Sequence, residues 1–386
     1  HPNMNWDNTK MWAADVTEQG SLSGTESIVS RASLSVQEPR WTADGKLYYI
    51  GDPDNWWNFQ TFDFQKFNDD GARAIHKFEG EFGKSGALGA HSYAFLSNSE
   101  IIAKFERDGT SHLAAVDLTN GEVNEIKTPY ASISKVYSNG ERIYLIGSTT
   151  RAAAEIAEYV NGEFVTVKKS QDPIVDAAYI SEPQAITFPN LKGEPTHAFY
   201  YAPKNPNFTA PDDELPPLIV RLHGGPTGAT SAAFRANNQY WTSRGFALID
   251  INYGGSTGYG RDYRERLRGQ WGVVDIDDTK AALNSLTEQD LADEDRLLIL
   301  DGFKSPLIVF QGILDPVVPK NQSELIVDAL REKGVPVAYY PYEGEYHGFG
   351  KKENIIHSLE SELVFYGKIL GFEPAGELPE IEIDNF

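Results

Sequence analysis

Pro216-Pro-Leu-Ile-Val-Arg-Leu-His-Gly-Gly-Pro226 is a short apolar run that stops at a histidine and a pair of glycines. A run of this length, bounded by proline and glycine, reads as a buried strand. The glycine-rich turn after it can leave backbone N–H groups free to hold an oxyanion. Similar apolar runs follow at residues 246–253, 296–300, 307–311 and 337–340. Between them, residues 275–288 set Ile276, Ala281 and Leu283 among acids and a lysine, and residues 321–333 gather Leu325, Ile326, Ala329 and Leu330 on one helical face. Strands alternating with helices predict an α/β domain with a doubly wound, mainly parallel sheet.

Two later strand ends carry titratable groups. Asp315 follows Val309-Phe-Gln-Gly-Ile-Leu314, and His347 stands in Glu343-Gly-Glu-Tyr-His-Gly-Phe349, after the last strand. Each has a plain reading, as a helix cap or a surface histidine. Together, an Asp and then a His at the carboxyl ends of late strands is the order in which α/β-hydrolases orient and use their base.

Upstream the pattern changes to a degenerate repeat. Asp44-Gly-Lys-Leu-Tyr-Tyr-Ile50, Asn98-Ser-Glu-Ile-Ile-Ala-Lys-Phe105 and Asn139-Gly-Glu-Arg-Ile-Tyr-Leu-Ile146 each set a polar turn before a short apolar strand. Leu113-Ala-Ala-Val-Asp-Leu-Thr-Asn-Gly121 recurs in outline as Ile156-Ala-Glu-Tyr-Val-Asn-Gly162, about 40 residues on. Short strands at that period predict propeller blades of four strands each, and a plain β-sandwich is the alternative. Met11-Trp-Ala-Ala-Asp-Val-Thr17 matches the strand at 114–119, so the chain is expected to start inside a blade. We therefore expect a partial β-propeller of about three to four blades over residues 1–175, followed by an α/β-hydrolase domain over residues 176–386.

Composition narrows the partners. The net charge of −22 argues against nucleic acid and anionic membranes, and no apolar run approaches the roughly 18 residues that span a bilayer. Zero cysteines exclude disulfides, thiolate metal sites and a cysteine nucleophile, and the eight histidines show no metal-ligand spacing. The chain opens at His1 with neither an initiator Met nor a basic-then-apolar leader, and is expected to be a piece of a longer, cytoplasmic protein.

On its motifs the sequence resembles the prolyl oligopeptidase family, especially its acylaminoacyl-peptidase-like branch. The carrying residues are His223-Gly-Gly-Pro-Thr227, Asn252-Tyr-Gly-Gly-Ser-Thr-Gly-Tyr-Gly-Arg261 and Trp271-Gly-Val-Val-Asp-Ile-Asp-Asp278. To these are added Pro306-Leu-Ile-Val-Phe-Gln-Gly312 with Asp315, Val318-Pro319, and Gly344-Glu-Tyr-His-Gly-Phe349. Before the hydrolase, Trp41-Thr-Ala-Asp-Gly45 and Trp56-Trp-Asn58 look like blade motifs of the same branch. The resemblance implies a serine peptidase acting on short peptides or acylated amino acids, with a propeller screening access and no cofactor. It implies His347 as general base, Asp315 as its orienting partner, and His223, Gly224 and Gly225 at the oxyanion and substrate-binding turn.

One part of the family pattern is missing. A Gly-x-Ser-x-Gly elbow is expected between Leu300 and Pro306, yet the chain passes from Leu300 to Leu307 through Asp301-Gly-Phe-Lys-Ser-Pro306 alone. A parallel crossover needs a dozen or more residues, and six cannot make one. Ser256, in Gly254-Gly-Ser-Thr-Gly258, fits the expression but follows a strand too early and leads into Tyr259-Gly-Arg-Asp-Tyr263, not an apolar helix. Ser305 precedes a proline that disfavours helix there. Three expectations remain open: a piece of an active peptidase, a non-catalytic homologue that binds peptides or a protein partner, and a hydrolase with a rewired nucleophile. The oligomeric state is not legible.

Overall fold

In the computed structural model, residues 4–386 are described except 67, 84–88, 212–213, 226 and 299–305. The upstream repeat becomes small antiparallel sheets. Strands β1 (Met11–Val16) and β2 (Leu22–Val29) pair with each other. β3 (Val36–Trp41), β4 (Leu47–Asp54), β5 (Trp56–Phe62) and β6 (Ala72–Ala74) form a four-stranded meander. So do β7 (Tyr93–Phe95), β8 (Glu100–Arg107), β9 (Thr110–Asp117) and β10 (Val123–Ile126). A third is made by β11 (Ser132–Ser138), β12 (Ile143–Ser148), β13 (Glu155–Val160) and β14 (Glu163–Lys169). The repeated segments fall on equivalent positions, β4, β8 and β12 being the second strand of each meander.

Sheet packs on sheet because each strand turns apolar side chains to both neighbours. Tyr48, Ile50, Trp57 and Phe59 meet Tyr93, Ile101 and Phe105 in one core. On the other face of the β7–β10 sheet, Ile102 and Leu113 meet Ile133, Val136 and Leu145. At about 25 cal/mol per Å² of apolar surface removed from water, such aromatic-rich layers supply most of the cohesion of this half.

Downstream, β15 (Gln184–Pro189), β16 (Pro195–Tyr201), β17 (Leu218–Leu222), β18 (Ala247–Asn252) and β19 (Leu297–Leu298) form one sheet in the order β15-β16-β18-β17-β19. Helices α1 (Ala236–Thr242), α2 (Arg261–Glu265) and α3 (Val274–Thr287) lie between its later strands in sequence. Every residue of β18 is buried, as expected of a strand covered on both faces. After the short connection come β20 (Leu307–Gly312), α4 (Lys320–Glu332), β21 (Val337–Tyr342) and α5 (Lys352–Leu370). β20 and β21 pair in parallel as a two-stranded sheet of their own. The chain divides into two compact units, His1–Leu297 and Leu298–Phe386.

The expectation of one mainly parallel sheet is therefore corrected. β15–β16 is antiparallel because the tight turn at Asn190–Gly193 returns the chain directly and leaves no crossover, and β16–β18 is antiparallel as well. β20 belongs to a different sheet from β19, in keeping with the six residues between Leu300 and Leu307, too few for a parallel crossover.

Within the first unit, α2 is pinned to the second small sheet by a buried ionic cluster. Arg264 reaches Asp52 on β4 (2.6 Å) and Glu81 (3.2 Å), and Arg261 reaches the same Asp52 oxygen (2.8 Å). The Gly258 N–H donates to the other Glu81 oxygen (2.6 Å), and the Arg264 guanidinium stands 3.9 Å over the ring of Trp57. Burial pushes both carboxyls up, Glu81 to about 7, against the downward pull of the arginines.

Candidate active site

Asp315 lies just beyond β20, where the strand direction runs out and its backbone turns. One carboxylate oxygen accepts the Val317 and Val318 N–H groups (2.8 and 3.0 Å). The other lies 2.8 Å from His347 Nδ1, on the loop after the parallel neighbour β21. Burial would raise the Asp315 carboxyl, but the Val318 N–H, His347 and the Val317 N–H outweigh it and hold it below the usual carboxylate range. The Asp315 side chain is 7% exposed and that of His347 58%, so the pair is anchored at the carboxylate and open at the imidazole. An imidazole whose Nδ1–H donates to a carboxylate presents Nε2 as its basic nitrogen.

His223, Gly224 and Gly225 stand at the exit of β17 in the first unit. Gly225 has φ +138°, a conformation essentially reserved for glycine, and a Cβ there would also crowd the Thr227 backbone N at 3.1 Å. Its turn is fixed from below. The His223 ring stacks on Tyr253 (centroids 4.5 Å apart, 13° between planes), and the Tyr253 hydroxyl donates to the His223 carbonyl (3.0 Å). His223 Nε2 lies 2.7 Å from Ser256 Oγ, and burial lowers the His223 pKa.

Ser256 is fully buried and its hydroxyl donates to the Tyr253 carbonyl (2.7 Å), so it braces the His223 turn and faces no solvent. Ser305 and the connection expected to hold the elbow lie outside the described residues. Among the described residues, no group of three or more His, Asp or Glu side chains is placed to hold a metal ion, and no helix is long and apolar enough to cross a membrane. Sequence reasoning missed the Asp52–Glu81–Arg261–Arg264 cluster. The charged run Arg261-Asp-Tyr-Arg-Glu-Arg266 hinted at a role for α2, but the partners lie about 200 residues away.

An Asp–His pair at the ends of the adjacent parallel strands β20 and β21 is the arrangement in which α/β-hydrolases hold their base. Comparison with known proteins takes this further. The prolyl oligopeptidase family pattern matches residues 232–303 and 300–373, two stretches that meet at the short connection. Over 99% of its length the chain superposes on a crystal structure of puromycin hydrolase, with TM-score 0.92 and 32% identity, and covers 68% of that chain. A puromycin-hydrolyzing peptidase of Mycobacterium tuberculosis gives TM-score 0.92 and 31% identity, over 100% of this chain and 69% of that one. Among curated sequences, dipeptidyl aminopeptidase BIII of Pseudoxanthomonas mexicana is 24% identical over 213 residues, 36% of this chain and 31% of that protein. The chain thus spans about a third of the length of that curated relative. It belongs to the prolyl oligopeptidase family.

Proposed function

We propose that the chain is the scaffold of a serine peptidase of this family acting on short peptides or acylated amino acids, in the cytoplasm and without a cofactor. In this reading residues 1–175 are a partial propeller of about three to four blades and residues 176–386 the hydrolase domain. The observation that carries the proposal is the 2.8 Å contact between Asp315 Oδ2 and His347 Nδ1 at adjoining strand ends. His347 Nε2 takes the proton of a nucleophilic serine as its oxygen attacks the scissile carbonyl, and returns it to the leaving amine. Asp315 keeps the tautomer and steadies the imidazolium. His223, Gly224 and Gly225 are assigned to the oxyanion and substrate-binding turn on the family resemblance. The likeness to two proteins named for puromycin hydrolysis makes puromycin a substrate to test.

The serine itself is the missing part, since residues 301–306 hold no Gly-x-Ser-x-Gly. Loss of a triad nucleophile costs on the order of 10⁶ in turnover, so the 386-residue chain is nearly inactive and retains peptide binding. That same observation favours a second reading, a pseudoenzyme that binds peptides or a protein partner. A fluorophosphonate probe, which needs an activated serine, separates the possibilities. The chain should not label, and a version carrying the family's elbow segment between Leu300 and Leu307 should label and hydrolyse puromycin. Stoichiometric labelling of the chain that disappears in Ser256→Ala would overturn this assignment in favour of Ser256. Failure of the elbow-bearing version to label would favour the pseudoenzyme.

A further inference from the structure

We infer that Glu345 is a positioning residue for the Asp315–His347 pair, acting through the loop that carries the histidine. The inference rests on His347 being the base and adds the group that holds it in place.

Glu345 sits two residues before an exposed histidine, yet is itself only 3% exposed. Its side chain turns back along the chain. One carboxylate oxygen accepts the Gly350 N–H (2.8 Å), and the other accepts the Lys351 N–H (2.9 Å) and Asn354 Nδ2 (2.8 Å). These donors are the entrance of α5. The residue capping that helix, Lys351, supplies no side-chain acceptor; Glu345 instead takes the N–H groups of Gly350 and Lys351 just before the helix and the side-chain amide of Asn354 in its first turn. The carboxylate therefore closes the loop 346–349 at its far end. The Gly350 N–H, then Asn354 and the Lys351 N–H, hold Glu345 below the usual carboxylate range.

The backbone of the same residue ties the other partner. The Glu345 carbonyl accepts the Leu314 N–H (2.9 Å), one residue before Asp315. The approach is close enough that a Cβ on Gly312, at the end of β20, would meet the Glu345 carbonyl at 2.8 Å and the Tyr346 carbonyl closer still. Glu345 thus joins the loop of the aspartate, the loop of the histidine and the start of α5. A solvated surface glutamate would show none of these three links. An exposed imidazole on a short loop keeps a productive geometry only when groups of this kind support it.

The test uses the full chain and the low-field proton resonance of the His347 Nδ1–H shared with Asp315, alongside circular dichroism. In Glu345→Gln one acceptor becomes a donor facing N–H groups. The resonance should vanish, or its proton should exchange with water at least roughly tenfold faster, while the melting profile is retained. An unchanged resonance and exchange rate in Glu345→Gln would overturn the inference, as would a parent chain that shows no such resonance. Should Glu345→Gln fail to fold, Asn354→Ala removes one of the three donors from the first turn of α5. It should speed exchange of the imidazole proton severalfold, and unchanged exchange would again overturn the inference. The readout needs no turnover, so failure of this inference and failure of the peptidase reading are told apart. If the elbow-bearing chain lacks activity while Glu345→Gln loses the resonance, the peptidase falls and the positioning role stands.

Discussion

Replacing Arg264 by Met removes the one guanidinium that touches both buried carboxylates while keeping most of the side-chain volume. In the parent chain Arg264 is 1% exposed, Asp52 and Glu81 are 0%, and Arg261 also holds Asp52. After the substitution Asp52 keeps Arg261, but Glu81 loses its arginine and retains the Gly258 N–H. Breaking a buried pair from one side costs about 3–5 kcal/mol, and the lost stack over Trp57 adds up to about 2 kcal/mol. The cost depends on pH in a definite direction. Glu81, raised by burial to about 7 from an ordinary 4.5, binds a proton more tightly folded than unfolded. Its contribution is therefore fully present below about 4.5 and is lost as pH rises through about 7. Without Arg264 the carboxyl climbs further, so the penalty should be smaller near pH 5.5 and approach its full size near pH 8.5. Urea unfolding followed by circular dichroism at the two pH values measures this. Arg264→Met combined with Glu81→Gln should cost clearly less than the sum of the single changes. A penalty below about 1 kcal/mol at pH 8.5, or one equal at both pH values, would refute the ionic account of how α2 is held.

Three further outcomes follow from the site. Ser256→Ala leaves the Tyr253 carbonyl and His223 Nε2 without their shared hydroxyl and should destabilise by about 1–3 kcal/mol in chemical unfolding, with no change in fluorophosphonate labelling. Gly225→Ala, forced to φ +138°, should cost about 1–3 kcal/mol and, in the elbow-bearing chain, lower turnover more than substrate binding. Asp315 has a carboxyl held below its ordinary value, so its contribution is present above that value and lost as pH falls through the lowered one. The low-field His347 resonance should accordingly persist through mild acid and disappear only in strong acid, and should be absent in Asp315→Asn at every pH.

The sequence by itself determined what depends on short stretches of chain. Apolar runs closed by glycine or proline placed β17, β18, β20 and β21 to within a residue or two, because burial on both faces of a strand demands unbroken apolar runs. The strand-end positions of His223, Asp315 and His347 were legible for the same reason: each comes soon after a strand, His223 at once and the other two on the loops that follow β20 and β21. The period of about 40 residues exposed the small antiparallel sheets, since each meander repeats the same local turns. The six residues between Leu300 and Leu307 showed by chain length alone that a parallel crossover is not possible there, and β19 and β20 lie in different sheets. Tertiary structure decided what depends on partners distant in the chain. Arg264 reads locally as one charge of an exposed helix, and only folding brings it to Asp52 and Glu81, 212 and 183 residues away. Glu345 reads as one more acid in an acidic chain until the turn of the backbone brings the Gly350 and Lys351 N–H groups, just before α5, onto its carboxylate. Ser256 matches a nucleophile's motif, and its burial under the His223 turn makes it a brace. A motif records neighbours along the chain, whereas the ionisation and hydrogen bonding of a buried group are set by whatever the fold packs against it.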